Sequence, residues 1–176
     1  YHFSYPFIFE HKGETWMIPE TARDNKIELF KCTEFPDKWE RVKTLVEIPG
    51  TDSTLIEANG LFWMFTQVGA DSNVTVLVAE DLMGPWSLHS TNHFEHSRSA
   101  GKIFQYNNKI LRPTQDCSKC YGHAIVFKEI QLTANGYEEE TYCRIEPDWH
   151  EGLIGTHTFN FDDKYVFIDG KVQVED

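Results

Sequence analysis

The chain writes one short pattern three times, and a fourth time in weaker form. The pattern is a strand, a tight turn, and a second strand that ends in aromatic or apolar residues. Its clearest copy is residues 51–67, TDSTLIEANGLFWMFTQ, which turns at Asn59-Gly60. Residues 4–20 (SYPFIFEHKGETWMIPE) place Gly13 and Trp16 where that copy has Gly60 and Trp63. Residues 98–115 place Asn108 and Leu111 there, and a weaker copy, THTFNFDDKYVFIDG, starts at Thr156. The spacing is 47 residues from Trp16 to Trp63 and 48 from Trp63 to Leu111. A fixed period of this length dictates a repeat architecture, because each unit carries an apolar face that only a neighbour can bury.

Within a unit the grammar is the same each time. The first unit predicts strands at residues 5–9, 15–18, 26–32 and 39–48, with turns at His11-Lys12-Gly13 and Phe35-Pro36-Asp37. Pro19 should end the second strand or place it at an edge. The second unit predicts strands at 54–57, 61–65, 74–79 and 86–88, followed by a polar segment at 90–96. The third gives 103–105 and 109–111, a long loop at 113–121, then 123–129 and 136–145. The fourth supplies 156–161 and 165–168, with 171–174 as a third strand. No segment has helical periodicity over ten or more residues. The expected class is therefore all-β, a β-propeller of four-stranded antiparallel blades, with blades at 1–50, 51–97, 98–154 and an incomplete one at 155–176. An open β-sandwich of irregular hairpins explains the strands but not the recurring Gly-x-x-Trp register. Three full blades and part of a fourth leave unpaired sheet edges, so the chain is expected to be a piece of a longer propeller or to self-associate through those edges. Its start at Tyr1, without a Met, fits the first expectation.

Composition narrows the partners. Acidic residues number 28 against 16 basic ones, a formal charge of −12, and so acidic a surface repels phosphate backbones and anionic lipid. Nucleic acid is not an expected partner, and no apolar run approaches the ~18 residues of a spanning helix, so membrane insertion is not expected either. Of four cysteines, Cys117 and Cys120 have CxxC spacing, while Cys32 and Cys143 stand far away. A structural zinc site needs a second close pair, and a redox motif should open a helix after a strand. The thiols are therefore read as structural or incidental, and neither metal nor cofactor is expected. Four scattered cysteines favour a reducing, cytoplasmic compartment.

SYPFIFEHKGETWMIPE, the TDSTLIEANGLFWMF unit, RSAGKIFQYNNKILRPTQDCSKCYG and GTHTFN together resemble a known family. It is the five-bladed propeller domain at the N-terminus of plant glucosamine inositolphosphorylceramide transferase, with RPTQDCSKCYG the most specific stretch. That domain is similar in fold to the arabinanase, levansucrase and invertase propellers. The resemblance implies that a first blade before Tyr1 and the end of the fifth lie outside this chain. It also implies a carbohydrate or other sugar-containing ligand.

In a propeller the first strand of each blade lines the central channel, so useful side chains lie near strand starts and the inner ends of the hairpins. The repeats put Glu20, Gln67 and Gln115 at one equivalent position, while Asp52, Arg98 and His157 stand near the starts of successive units. Glycosidases need two carboxylates, and Asp52 with Glu20 are the candidate catalytic pair. Tyr5 and Ala100 stand where the fold relatives place acids, which counts against hydrolysis. The candidate ligand-binding residues are Gln67, Arg98, Arg112, Gln115, Asp116, Tyr121 and His157. Each has a plainer reading. Asp52 after Pro49-Gly50 suits a turn residue, and Glu20 beside Arg23 suits a surface ion pair. Arg98 and Arg112 either pair with Asp116 or grip a sugar phosphate or carboxylate with a planar fork. His157 is a structural histidine or a contact for a sugar hydroxyl. Trp16 and Trp63 recur at one register, as packing residues do.

Overall fold

The three strong hairpins close on two-residue turns in which both central residues have positive φ. These are Lys12 and Gly13 (52° and 75°), Asn59 and Gly60 (55° and 75°), and Asn107 and Asn108 (49° and 62°). Such turns match the right-handed twist of paired strands, and Gly and Asn tolerate them best. The fourth hairpin turns differently, with Asp162 Oδ1 accepting the N–H groups of Lys164 and Tyr165, both at 2.7 Å.

The computed structural model describes residues 3–69, 74–92, 98–133 and 136–173. It separates into two compact units, residues 1–93 and 94–176. The first holds two antiparallel four-stranded sheets. One runs in order through β1 (Ser4–His11), β2 (Glu14–Glu20), β3 (Ile27–Glu34) and β4 (Lys38–Val46). The other runs through β5 (Gly50–Ala58), β6 (Leu61–Val68), β7 (Val74–Ala79) and β8 (Ser87–Asn92). Both have the up-and-down order of a propeller blade. Most of the polar segment expected at 90–96 lies outside the described residues.

A core joins the two sheets. Phe7, Phe9, Trp16, Ile18, Ile27, Leu29, Leu55, Phe62, Met64, Leu77 and Leu82 form one buried cluster. Each such side chain contributes roughly 1.5–3 kcal/mol. Trp63 is also buried, 1% exposed, with its indole N–H donating to Ala58 O at 3.1 Å. The recurring tryptophans are thus packing residues. Glu28 on β3 is buried as well, and Arg41 meets its Oε1 at 2.6 Å.

The second unit holds one four-stranded sheet of β9 (Phe104–Tyr106), β10 (Lys109–Asp116), β11 (Ala124–Thr133) and β12 (Gly136–Ile145). One of its faces packs Ala100, Ile125 and Phe127 against Phe104, Ile145, Phe159 and Ile168. Two small antiparallel pairs follow: β14 (Phe159–Phe161) with β15 (Val166–Ile168), and β13 (Leu153–Gly155) with β16 (Lys171–Val172).

Three local expectations are corrected. Pro19 lies inside β2, buried, because its missing N–H falls opposite a bulge between the Ser4–Glu20 and Phe7–Ile18 pairs. The loop expected from Pro113 begins only after Asp116. Pro113 continues the strand opposite Phe127, and its carbonyl accepts the Ala100 N–H at 3.0 Å. Lys171-Val172 pairs back with β13 instead of extending the β14–β15 hairpin.

Candidate functional site

In the first unit the strand starts share an unusual backbone. β1 and β5 each carry one extra residue against their partner, between Ser4 and Phe7 and between Thr51 and Thr54. In each bulge the first unpaired residue has positive φ: 43° at Tyr5 and 48° at Asp52. A bulge re-aims a side chain away from the normal alternation of a strand. Asp52 is buried, 3% exposed. Around it Ser53 Oγ donates to Thr66 Oγ1 at 2.9 Å, and Thr66 Oγ1 donates to Thr51 O at 3.1 Å. Glu20 pairs with Ser4 across the first bulge and Gln67 with Thr51 across the second, so the equivalence expected between them holds in register. Both are half-buried.

In the second unit Gln115 occupies the corresponding place. Its backbone N–H donates to Arg98 O at 2.8 Å, and its side-chain amide donates to Ser99 O at 2.8 Å. Gln115 is buried and fastens the segment that carries Arg98. Asp116, the last residue of β10, organises the following loop. Its Oδ1 accepts the Ser118 N–H at 2.7 Å, its carbonyl accepts the His123 N–H at 3.0 Å, and its Oδ2 contacts Arg144. Burial pushes the Asp116 carboxyl up, but the Ser118 hydrogen bonds and Arg144 more than reverse this, holding it well below the usual carboxylate range. Arg144 also contacts Glu146, whose Oε2 lies 3.2 Å from His123 Nε2.

The loop from Cys117 to Gly122 is thereby held, and it presents Tyr121. Cys117 Sγ accepts the Gly122 N–H at 3.4 Å, and the Cys120 thiol reaches Ile154 O at 3.7 Å. All four cysteines are free thiols. Among the described residues no group of three or more His, Cys, Asp or Glu side chains is placed to hold a metal ion.

Tyr121 stands between two other candidates. The Arg98 guanidinium lies 5.6 Å from the centre of its ring, a cation–π distance. The His157 imidazole meets it edge-on at 5.5 Å. Behind His157 stands Asp169, a residue absent from the sequence candidates. Asp169 Oδ2 contacts His157 Nδ1, and its Oδ1 accepts the N–H of His157 at 2.8 Å, the N–H of Thr158 at 2.6 Å and the Thr158 hydroxyl at 2.9 Å. Burial raises the Asp169 carboxyl, but these donors outweigh it and hold the group below its ordinary range. The one sequence signal that could have found Asp169 is its place before Gly170 at the end of the fourth repeat.

Arg98, Tyr121, His157 and Asp169 therefore come together, with Gln115 and Asp116 fixing the backbone that carries them. Arg112 is placed elsewhere in the unit. It is fully buried, and its Nη2 lies 2.8 Å from Glu139 Oε2, with the Tyr137 hydroxyl on the same oxygen. Burial disfavours the Arg112 charge, but Tyr137 and Glu139 outweigh it and keep the guanidinium protonated.

Comparison with known proteins adds to this geometry. The family model described as "Glucosamine inositolphosphorylceramide transferase 1, N-terminal" matches residues 1–161. Over 152 residues the chain is 34% identical to glucosamine inositolphosphorylceramide transferase 1 of Oryza sativa subsp. indica, covering 79% of this chain and 20% of that protein. The protein of the same name from Arabidopsis thaliana is 28% identical over 158 residues, covering 83% and 20%. The chain thus spans about a fifth of the length of the curated relatives it matches. Among solved structures, the exo-β-1,3-galactanase of Phanerochaete chrysosporium with β-1,3-galactotriose aligns with a TM-score of 0.66 at 10% identity, covering 96% of this chain and 43% of that one. A Bombyx mori GH32 β-fructofuranosidase aligns with a TM-score of 0.59 at 12% identity, covering 94% and 42%. At such identities the likeness concerns the fold, and it identifies the four-stranded sheets as blades of a β-propeller. With its family model matched from residue 1 to residue 161, the chain belongs to the glucosamine inositolphosphorylceramide transferase 1 N-terminal family.

Proposed function

We propose that the chain is a carbohydrate-recognising propeller domain that serves sugar transfer or modification. The observation that carries this reading is the grouping of Arg98, Tyr121 and His157 beside the loop that follows β10. Together they offer a cation, an aromatic wall and an imidazole on half-exposed or exposed side chains. An aromatic face with a few converging polar groups is the usual make-up of a sugar subsite. Family membership supports it, since the curated relatives are named glucosamine inositolphosphorylceramide transferase 1, a name that joins an amino sugar to a transferase.

Glycan-array screening followed by calorimetric titration tests the reading. Binding that falls tenfold or more in Arg98→Ala and Tyr121→Ala, with unchanged unfolding midpoints, supports it. A structural or interaction propeller predicts no sugar binding, and no loss of any ligand on these substitutions.

One observation favours a second reading, a glycosidase or transglycosylase using Asp52 and Glu20. Asp52 is a buried acid at positive φ, and strained positions of this kind gather at active sites. If turnover of a glycoside is found and Asp52→Asn and Glu20→Gln leave it unchanged, those roles are excluded.

A further inference from the structure

Resting on the carbohydrate-recognising reading, we propose that Asp169 locks His157 into a single tautomer, so that the imidazole Nε2 is a fixed acceptor for a ligand hydroxyl. The ligand class is a neutral polyol: one sugar hydroxyl donates to Nε2, and a second oxygen of the same molecule accepts from Arg98 across the Tyr121 ring. The hydrogen-bond directions follow from the partners. An ionised carboxylate only accepts, so contact between Asp169 Oδ2 and His157 Nδ1 requires the proton on Nδ1. The lone pair of the neutral ring then lies on Nε2, which makes no hydrogen bond among the described residues, and the side chain is 32% exposed.

The ring has little freedom to turn. Asp169 Oδ1 is committed to the two N–H groups and the hydroxyl at 2.6–2.9 Å, and Thr156 Oγ1 donates to Asp169 O at 2.7 Å. From the other side the loop backbone presses close, because a Cβ built on Gly122 would stand 2.7 Å from His157 Cβ. Imidazole, carboxylate and two short segments thus form one clamp. An acceptor held this way discriminates between donors and non-donors at one ligand position, which a free-swinging histidine does not.

The clamp also dictates its own test. In Asp169→Asn the three donors aimed at Oδ1 select the carboxamide oxygen for that place and leave the NH2 facing Nδ1. An NH2 group donates, so Nδ1 becomes the acceptor and the proton moves to Nε2. The ring keeps its position while the polarity of its ligand-facing edge reverses, the logic by which a wrong tautomer disables a serine-protease triad.

Long-range 1H–15N correlation spectra of this chain at about pH 8, where a free imidazole is neutral, report the His157 tautomer directly. The expected result is Nδ1–H in the unmodified chain and Nε2–H in Asp169→Asn. Calorimetry with a panel of methyl glycosides of neutral hexoses and pentoses gives the second measurement. In Asp169→Asn the ligand hydroxyl can meet Nε2–H only by turning to accept, which gives up the hydrogen bond it donated, and binding is expected to weaken about tenfold. His157→Phe, which removes Nε2 but leaves the backbone donors to Asp169, should do the same with an unchanged unfolding midpoint. An Nε2–H tautomer in the unmodified chain overturns the inference. So does sugar binding that both variants retain, and that result leaves the carbohydrate reading standing. If the unmodified chain binds none of the panel and no glycan on the array, the carbohydrate reading falls and this inference falls with it.

Discussion

Arg112 and Glu139 face each other at 2.8 Å with neither side chain reaching solvent. The pair bridges the sheet between β10 and β12, with the Tyr137 hydroxyl on Glu139 Oε2 and Lys128 Nζ 4.0 Å from Glu139 Oε1. Such a pair is costly to break and much less costly to replace, because removing one partner strands a charge away from water. Glu139→Ala should therefore destabilise the chain by about 3–5 kcal/mol. The double variant Arg112→Met, Glu139→Leu should recover most of that loss. Urea unfolding of Arg112→Met, Glu139→Leu and the double variant measures the coupling.

Asp116 makes stability depend on acid. Its carboxyl is held below the ordinary range in the folded chain, whereas in the unfolded chain it titrates near the usual ~3.9. The stabilisation is therefore fully present above the unfolded pKa and is lost as pH falls through that value toward the folded one. Urea midpoints measured from about pH 6 down to about pH 3 should fall below about pH 4. Asp116→Asn should be less stable at neutral pH and should lose less on acidification. An unchanged slope in that variant would assign the acid sensitivity to other carboxylates.

Gly101 has no room for a side chain. Its φ is 146°, and an added Cβ would lie 1.8 Å from Phe159 O, against which the chain is held by the Phe159 N–H donating to Ala100 O at 2.7 Å. Only displacement of one backbone segment relieves that overlap. Gly101→Ala is expected to destabilise the second unit by roughly 3 kcal/mol, read as a loss of amide-exchange protection at Phe159. Gly13 and Gly60 have open space around an added Cβ, so alanine there should cost only the roughly 1 kcal/mol of the left-handed conformation.

The third hairpin offers a gain. Asn108 holds φ 62° at the place where its sister turns carry Gly13 and Gly60. Asn108→Gly relieves the side-chain strain of that conformation and should raise stability by a few tenths of a kcal/mol. A thermal melt that moves down instead would show that the Asn108 side chain contributes a contact worth more than the strain.

The hairpins were legible in the sequence because turn chemistry is local: Asn59-Gly60 announces its own geometry without knowledge of what surrounds it. The repeat then supplied the sheet order, since equal spacing needs equal units. What escaped was set across distance. Nothing beside Arg112 names Glu139 as its partner, because the pairing depends on the register of three strands, which the sequence leaves open. Asp169 escaped for the same reason, acting twelve residues back on His157 from the far end of a hairpin. Pro113 misled in the other direction. A proline suggests a loop, yet the strand continues, since the residue needs only its carbonyl to pair with Ala100. Arg98, Tyr121 and His157 were each visible as candidates, but only the folded loop after Asp116 shows them as one group.

The bulges at Tyr5 and Asp52 have an evolutionary consequence. A residue that belongs to no ladder pair can be exchanged without disturbing the strand partners on either side. One blade carries an aromatic ring at this place and the next an acid, on the same backbone conformation. Natural selection can therefore revise the chemistry at a strand start one residue at a time, leaving the sheet that carries it as it is.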